Sequence, residues 1–114
     1  MGLFKERTLN LGKDIYHAGD ITMETARFFD LKTLDLLSRR RTVAISYARH
    51  VAWYLIRERT LLSYPQIADL FDRDPSSVMY GVNRIQKLRT EAILLIGHFY
   101  PTELIGNVLG PVQS

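Results

Sequence analysis

The strongest constraint on the fold is a pair of helix starts separated by only a short turn. Ser63 and Gln66 have the spacing of a capping box, and Pro65 stands in the first turn, where a helix does not use the missing N–H. Asp74 followed by Pro75 marks a second start, with an N-cap acid and a proline at the first helical position. The sequence therefore predicts a short helix, a turn and a second helix.

Both predicted helices have one apolar side. The first places Ile67, Leu70 and Phe71 at helical spacing, so we expect these side chains to face inward. The core side of the second is predicted to hold Val78, Val82, Ile85 and Leu88 or Arg89. Its other side holds Ser76, Ser77, Tyr80, Arg84 and Lys87. A recognition helix needs such a short, polar and basic face, because its first residues reach base edges while later cations lie over phosphates.

Composition narrows the class of protein. The chain has 114 residues, which suits one domain, and a net charge of +3 that is unevenly distributed. Between residues 39 and 59 there are six arginines and one acid, Glu58. No cysteine is present, which excludes disulfides, thiolate metal sites and a cysteine nucleophile. No apolar run approaches the length of a membrane span, so we expect a soluble, intracellular protein.

The remaining segments predict an all-α fold with three parts. Residues 1–20 are expected to form an N-terminal arm or a weak helix, and residues 21–91 the helix-turn-helix domain. Helices are predicted for about two turns from Ile21, at Lys32–Leu37 and at Val43–Thr60. The expected core positions of these helices are Ala26, Phe28, Phe29, Leu34, Leu36, Leu37, Ala44, Ala48, Val51, Ala52 and Leu55, whereas Arg49, Trp53 and Arg57 lie on a different face of the long helix.

Residues 92–114 are predicted to form a C-terminal helical extension. A break is expected near Gly97 or Pro101, followed by a short helix at Thr102–Leu109. The apolar residues of this tail exceed what one small helix needs to bury. The alternative function is therefore a protein-interaction module that binds a partner through this tail and regulates replication or transcription without reading DNA. Homodimerisation through the tail is a separate expectation, because a single basic helix-turn-helix often binds weakly.

Several ordered blocks give the chain a family resemblance. These are DLLSRRR, YARHVAWYLIRE, SYPQIADLFDRDPSSV and NRIQKL, which begin at residues 35, 47, 63 and 83. In order and spacing they resemble the C-terminal DNA-binding domain of the bacterial chromosomal replication initiator DnaA, from about Thr25 to Arg89. The resemblance implies a Trp-repressor-like helical fold that binds double-stranded DNA in a bacterial or phage-infected cell, in the cytoplasm and associated with the nucleoid.

The resemblance also implies which residues contact bases. By position, Asp74, Ser76, Ser77 and Pro65 would lie in the major groove, and Arg41 in the minor groove. The family signature Arg-Asp-His-Thr-Thr-Val departs here at its histidine, which is Pro75. Proline retains only an apolar contact, for example to a thymine methyl, and a lost base contact costs about 1–3 kcal/mol of discrimination. We therefore do not assume that the usual DnaA box is the target.

Phosphate contacts are predicted from the placement of basic side chains beside this face. The candidates are Arg39, Arg40, Arg49, Arg57, Arg84 and Lys87. Each also has a simpler interpretation, because charge runs are usually solvated loops or helix surfaces. Likewise an acid at an N-cap, as at Asp74, is explained by the helix start alone.

Other chemistries are not expected. The three histidines lack the spacing of a metal site, and neither serine has the base and oxyanion device of a nucleophile. No P-loop motif is present, so we expect neither nucleotide binding nor nucleotide-driven assembly. The leading hypothesis is a non-enzymatic, stand-alone DNA binder without a metal or cofactor, acting as a transcription regulator or as a competitor at replication-initiator sites.

Overall fold

Five α-helices make up the part of the chain that the structure describes. This computed structural model describes the backbone of residues 11–99 and the side chains of residues 11–93. The helices are α1 (Leu11–Phe28), α2 (Thr33–Leu37), α3 (Val43–Arg59), α4 (Tyr64–Phe71) and α5 (Pro75–Phe99). No strand occurs among the described residues, so the predicted all-α class is confirmed. None of these helices is long and apolar enough to cross a membrane.

Local capping explains where the helices begin. Ser63 Oγ accepts from the N–H of Gln66 at 3.2 Å, and Gln66 Oε1 accepts from the N–H of Ser63 at 2.9 Å, so the predicted capping box is present at α4. Thr42 Oγ1 accepts from the N–H of Ile45 at 3.2 Å, which starts α3. Asp72 ends α4 in a left-handed conformation with φ of 51°. This turn directs the chain into α5.

The core is arranged on both sides of α3. On one side Trp53 and Ile56 pack in a cluster with side chains from α4 and α5, among them Ile67, Val78 and Val82. On the other side the fully buried members are Ala26, Leu36, Ala48 and Ala52. Because α3 contributes to both clusters, it fixes the helix-turn-helix relative to α1 and α2. Of the predicted core positions of α4 and α5, Ile67, Phe71, Val78, Val82 and Ile85 are buried, whereas Leu70 is 37% and Leu88 40% exposed. Arg89, the alternative to Leu88, is partly buried.

The N-terminal segment differs from the prediction. Instead of an arm or a weak helix followed by a separate short helix, one 18-residue helix, α1, runs through residue 20. Its buried side consists of Ala18, Ile21, Thr22, Thr25 and Ala26. The hydroxyls of both threonines donate to carbonyls four residues back at 2.7 Å, so they are satisfied without solvent. A buried face made mostly of alanine and threonine lacks the large apolar residues on which periodicity depends.

Several predicted core residues are in fact at the surface. Of the three leucines of α2 only Leu36 is buried, whereas Leu34 is 74% exposed, because a five-residue helix covers just one side. Phe28 is 82% exposed at the end of α1, and Ala44 is exposed at the start of α3. Conversely, Arg49 and Trp53 belong to the buried side of α3, contrary to the prediction.

Helix α5 continues beyond the recognition segment. Its backbone is helical through Phe99, so the predicted break at Gly97 is absent. The predicted break at Pro101 and the predicted helix at Thr102–Leu109 lie outside the described residues. The first residues of the predicted extension are therefore a direct prolongation of α5.

Candidate nucleic-acid interface

The first turn of α5 is built around Asp74. Its Oδ1 accepts from the N–H and from the hydroxyl of Ser76, both at 2.9 Å, and its carbonyl accepts from the N–H of Ser77 at 3.0 Å. These bonds to Ser76 lower the pKa of the Asp74 carboxyl, so it is ionised as an N-cap. Pro75 follows at the first helical position. All four side chains are exposed, which leaves Pro75 and Ser77 available to a ligand.

The three arginines of the basic loop before α3, residues 38–42, differ in their contacts. Arg39 Nη2 lies 2.9 Å from Asp72 Oδ2, and Arg40 Nη1 lies 3.6 Å from Asp35 Oδ1. Arg41 is exposed and has no hydrogen bond or ion pair with any described residue. The guanidinium that the resemblance assigns to the minor groove is thus the one left free by the fold.

Arg49 is not placed for the phosphate contact predicted for it. Only 2% of the residue is exposed, and its Nε donates to the carbonyl of Leu36 at 2.7 Å. Its Nη2 donates to the carbonyls of Ser38, Arg40 and Asp35, at 2.7, 3.1 and 3.2 Å. Burial, together with the charges of Arg73 and Arg41, lowers its pKa to about 10. The sequence showed an arginine off the apolar stripe, but its acceptors are backbone carbonyls, which no side-chain pattern reveals.

Arg73, in the turn between α4 and α5, is a site residue that the sequence analysis missed. Its Nη2 donates to the carbonyl of Ser38 at 2.5 Å, so two guanidiniums share one oxygen. Its pKa is lowered by burial and by the neighbouring charges of Arg39 and Arg41, with an opposing contribution from Asp72. The family signature contains this arginine, which was the available signal.

Between α3 and the start of α5 lies an open cavity of about 550 Å³, called here the basic cleft. It is lined by Arg41, Ser46, Arg49, His50, Trp53, Arg73, Ser76, Ser77 and Tyr80. The cleft thus brings the free Arg41 together with the first turn of α5. No acidic side chain is among its lining residues, so its charge favours an anionic ligand such as a phosphate.

His50 lies at the floor of the basic cleft, and its ring is neutral. It stacks on Trp53 with ring centroids 5.4 Å apart, and Arg84 Nη1 lies 3.1 Å from its Nδ1. Because an arginine can only donate, Nδ1 accepts and the proton of the neutral ring is on Nε2. Burial, followed by the charges of Arg84, Arg49 and Arg73, lowers the pKa of His50 to about 4.

The other predicted phosphate contacts differ in how freely they can act. Arg84 is half-buried and lies 5.6 Å from the ring centre of Tyr47, so it is held against α3. Lys87, one turn further on, is exposed. Arg57 donates to the carbonyl of Leu62 at 2.9 Å and lies 4.3 Å from the ring centre of Tyr64. These contacts connect α3 to the start of α4.

Two further predictions concern positions outside the cleft. Pro65 is exposed in the first turn of α4 and does not line the cleft. Within residues 11–93 no group of three or more metal-ligating side chains comes together.

A short helix, a tight turn and a second helix with an exposed, polar first turn beside a basic cleft define a helix-turn-helix protein. The chain belongs to the family of the bacterial dnaA protein helix-turn-helix, whose model matches residues 18–85, more than half of its length. The matched region therefore begins inside α1 and ends within α5.

Curated relatives agree with this assignment. The chromosomal replication initiator protein DnaA of Leifsonia xyli is 44% identical over 73 residues, which are 63% of this chain and 15% of that protein. The protein of the same name from Tropheryma whipplei is 42% identical over 64 residues, covering 56% of this chain and 13% of the relative. That of Bordetella pertussis is 39% identical over 79 residues, or 64% and 17%. The chain thus spans only a small part of each relative.

Proposed function

We propose that this protein binds double-stranded DNA with a sequence preference through its helix-turn-helix, and that it acts by binding rather than by catalysis. The observation that carries the proposal is the free guanidinium of Arg41 on the same cleft as the exposed first turn of α5. An arginine that enters the minor groove and a helix that enters the adjacent major groove need this kind of juxtaposition.

The proposed major-groove contacts are made by residues in the first turns of α4 and α5. Ser77 offers a hydroxyl with no hydrogen-bond partner among the described residues, whereas the hydroxyl of Ser76 is shared with Asp74. Pro75 offers an apolar surface that suits a thymine methyl and cannot donate or accept as the histidine of related sequences does. Pro65 and Asp74 complete the set of major-groove contacts. The preferred site should therefore differ from that of family members which have histidine at this position.

Backbone phosphates are the proposed partners of the surrounding cations. Arg39 and Arg40 are paired with acids, but their side chains are 76% and 66% exposed, and such pairs contribute only about 0–1 kcal/mol. A phosphate can therefore replace the carboxylate at little cost. Lys87 on α5 is exposed beyond the cleft, and Arg84 and Arg57 give weaker contacts because their guanidiniums also hold the fold.

The biological role that suits such a domain is regulation at replication-initiator sites or at promoters. The relatives are named replication initiators, and this chain corresponds to a small part of each. A protein that occupies similar DNA competes with an initiator or controls transcription from the same region. Cytoplasmic action at the nucleoid, without a nucleotide, follows from this proposal.

Selection of bound duplexes from a random pool tests DNA binding and sequence preference together. We expect enrichment of one site, and relaxation of its preference at single positions by Arg41→Ala and by Ser77→Ala. Arg27→Ala is a matched control, because Arg27 lines a separate apolar groove with Phe28 and Leu55. Equal binding of all duplexes at moderate salt by the parent protein would contradict the proposal.

Homodimerisation through the C-terminal tail is a separate proposal. A single helix-turn-helix usually binds half of a two-fold site, so a second copy would add affinity. Light scattering of the full chain over a range of concentrations measures it directly. A monomer at high concentration, with full affinity for the selected duplex, would contradict this proposal and leave DNA binding intact.

A further inference from the structure

We propose that Arg49 and Arg73 act as positioning residues for Arg41, holding the basic loop at a fixed distance from the recognition helix without contacting bases themselves. This inference rests on the proposed DNA binding and adds an account of how two grooves are read in register. Neither residue was expected to have this role from the sequence.

Arg49 determines the path of the loop from the inside. Its guanidinium only donates hydrogen bonds, and its acceptors are carbonyls on both sides of Arg39, namely those of Asp35, Leu36, Ser38 and Arg40. The first two belong to α2, where the carbonyl of Asp35 also accepts from the N–H and from the hydroxyl of Ser38. The last belongs to the residue immediately before Arg41. The backbone that leads into Arg41 is thereby fastened to α3.

Arg73 fastens the same loop to the helix-turn-helix. It donates to the carbonyl of Ser38 that Arg49 also uses, while Asp72, the residue before it, accepts from Arg39 at 2.9 Å. Asp72 has a positive φ, so the direction of the turn is narrowly defined. The loop is therefore joined to the turn by the Arg73 bond and, more weakly, by the exposed Arg39–Asp72 pair, with the first turn of α5 only a few residues away.

Two guanidiniums that donate to one carbonyl have an electrostatic cost, and this cost indicates that the arrangement has a functional role. Two guanidiniums on one oxygen repel each other, and the charge of Arg73 accordingly contributes to the lowered pKa of Arg49. A loop that only connected two helices would need one such anchor. Two anchors, one on α3 and one in the turn before α5, define the distance between Arg41 and Ser77 in the free protein. The loop therefore loses less conformational freedom when the protein binds DNA.

Lysine is the informative replacement at both positions. It keeps the positive charge but has a single nitrogen on a flexible chain, and cannot reproduce the planar fork of arginine. A substitution of Arg73 by lysine therefore leaves the charge of the cleft unchanged and removes only the geometry. Arg73 is half-buried, so this variant perturbs the core less than a change at Arg49.

The test is a double-mutant cycle in the full chain on the selected duplex. Arg73→Lys is expected to weaken binding about tenfold, the size of one good base contact, when Arg41 is present. In an Arg41→Ala background the same change should alter binding by less than about twofold, the tolerance of independent additivity. Arg49→Lys should behave in the same way, with thermal unfolding recorded to separate lost folding from lost positioning. Arg59→Lys, on the apolar groove, is the control that should change neither background.

A second measurement identifies the groove. Replacing A·T pairs of the selected site by inosine·cytosine keeps the minor-groove pattern but changes the major-groove pattern. Arg73→Lys should reduce discrimination between A·T and G·C where the minor groove is read, and leave the response to inosine·cytosine as in the parent. Equal losses from Arg73→Lys with and without Arg41 would overturn the inference while DNA binding stands. A parent protein that shows no duplex preference would overturn both.

Discussion

Gly81 of the recognition helix lies directly against Trp53 of the scaffold helix. A Cβ atom at Gly81 would lie 2.8 Å from Cε3 of the indole and 2.7 Å from Cδ2 of His50, both closer than real Cβ contacts allow. The missing side chain thus lets α5 approach the stacked rings of α3 at the floor of the basic cleft. The distance between α5, the recognition helix, and α3 is therefore determined at this crossing.

The first prediction is that Gly81→Ala destabilises the protein. Overpacking of a close contact costs about 1–3 kcal/mol, which outweighs the gain in helix propensity of about 1 kcal/mol. Gly19→Ala is the matched control, because a Cβ there meets nothing within 4 Å and α1 should gain stability. Urea unfolding of both variants measures the effect. An increase in the free energy of unfolding for Gly81→Ala would show that the two helices readily move apart.

The close approach of Gly81 to Trp53 could not be predicted from the sequence, whereas other features of the fold could. The two helix starts at Ser63 and Asp74 were predicted because a cap is encoded within a single turn. The buried stripe of α5 was predicted because it extends over several turns. Packing of a glycine against an indole depends on residues far apart in the chain, and no local pattern reports it.

The candidate site shows the same division between local and distant information. Ser77 and Arg41 are both exposed, and the DNA contacts expected of them from the family resemblance stay predictions. The buried role of Arg49 was not predicted, because an arginine on a long helix looks like a surface charge until its carbonyl acceptors are known. Arg73 was missed for the same reason, since its acceptor is 35 residues away in the chain.

The second prediction concerns the dependence of stability on pH. The pKa of His50 is lowered from 6.5 to about 4 by burial and by neighbouring arginines. Between these values the unfolded chain binds a proton that the folded protein does not, so the free energy of unfolding falls as the pH falls from about 6.5 to about 4. Above the upper value the histidine contributes no pH dependence. Urea unfolding at several pH values measures the slope.

A His50→Gln variant isolates this contribution. Glutamine keeps a polar side chain beside Arg84 but does not titrate, and all carboxylates remain common to both proteins. The difference in free energy of unfolding between parent and variant should therefore change over this pH range and be constant above it. Parallel pH curves for the two proteins would mean that His50 is readily protonated in the folded state.

The third prediction separates phosphate contacts from structural cations by salt dependence. Removing one phosphate contact lowers the slope of log affinity against log salt by about 1. We expect this change for Lys87→Ala with little loss of stability, since Lys87 is exposed. Arg84→Ala should also lower the stability, because its guanidinium contacts His50 and the ring of Tyr47. Arg27→Ala should leave the slope unchanged, and an equal decrease there would indicate a general charge effect.

The last prediction separates the two roles of Asp74, the helix cap and the proposed base contact. Asp74→Asn keeps an oxygen that can accept from the N–H of Ser76, so the melting temperature should change little. Asp74→Ala removes the acceptor and should lower it. On DNA, the asparagine adds a donor where the carboxylate has none, so the duplexes selected by Asp74→Asn should differ from those of the parent at one position. An unchanged selected site, together with a lowered melting temperature for Asp74→Ala alone, would mean that Asp74 serves the helix start and reads no base.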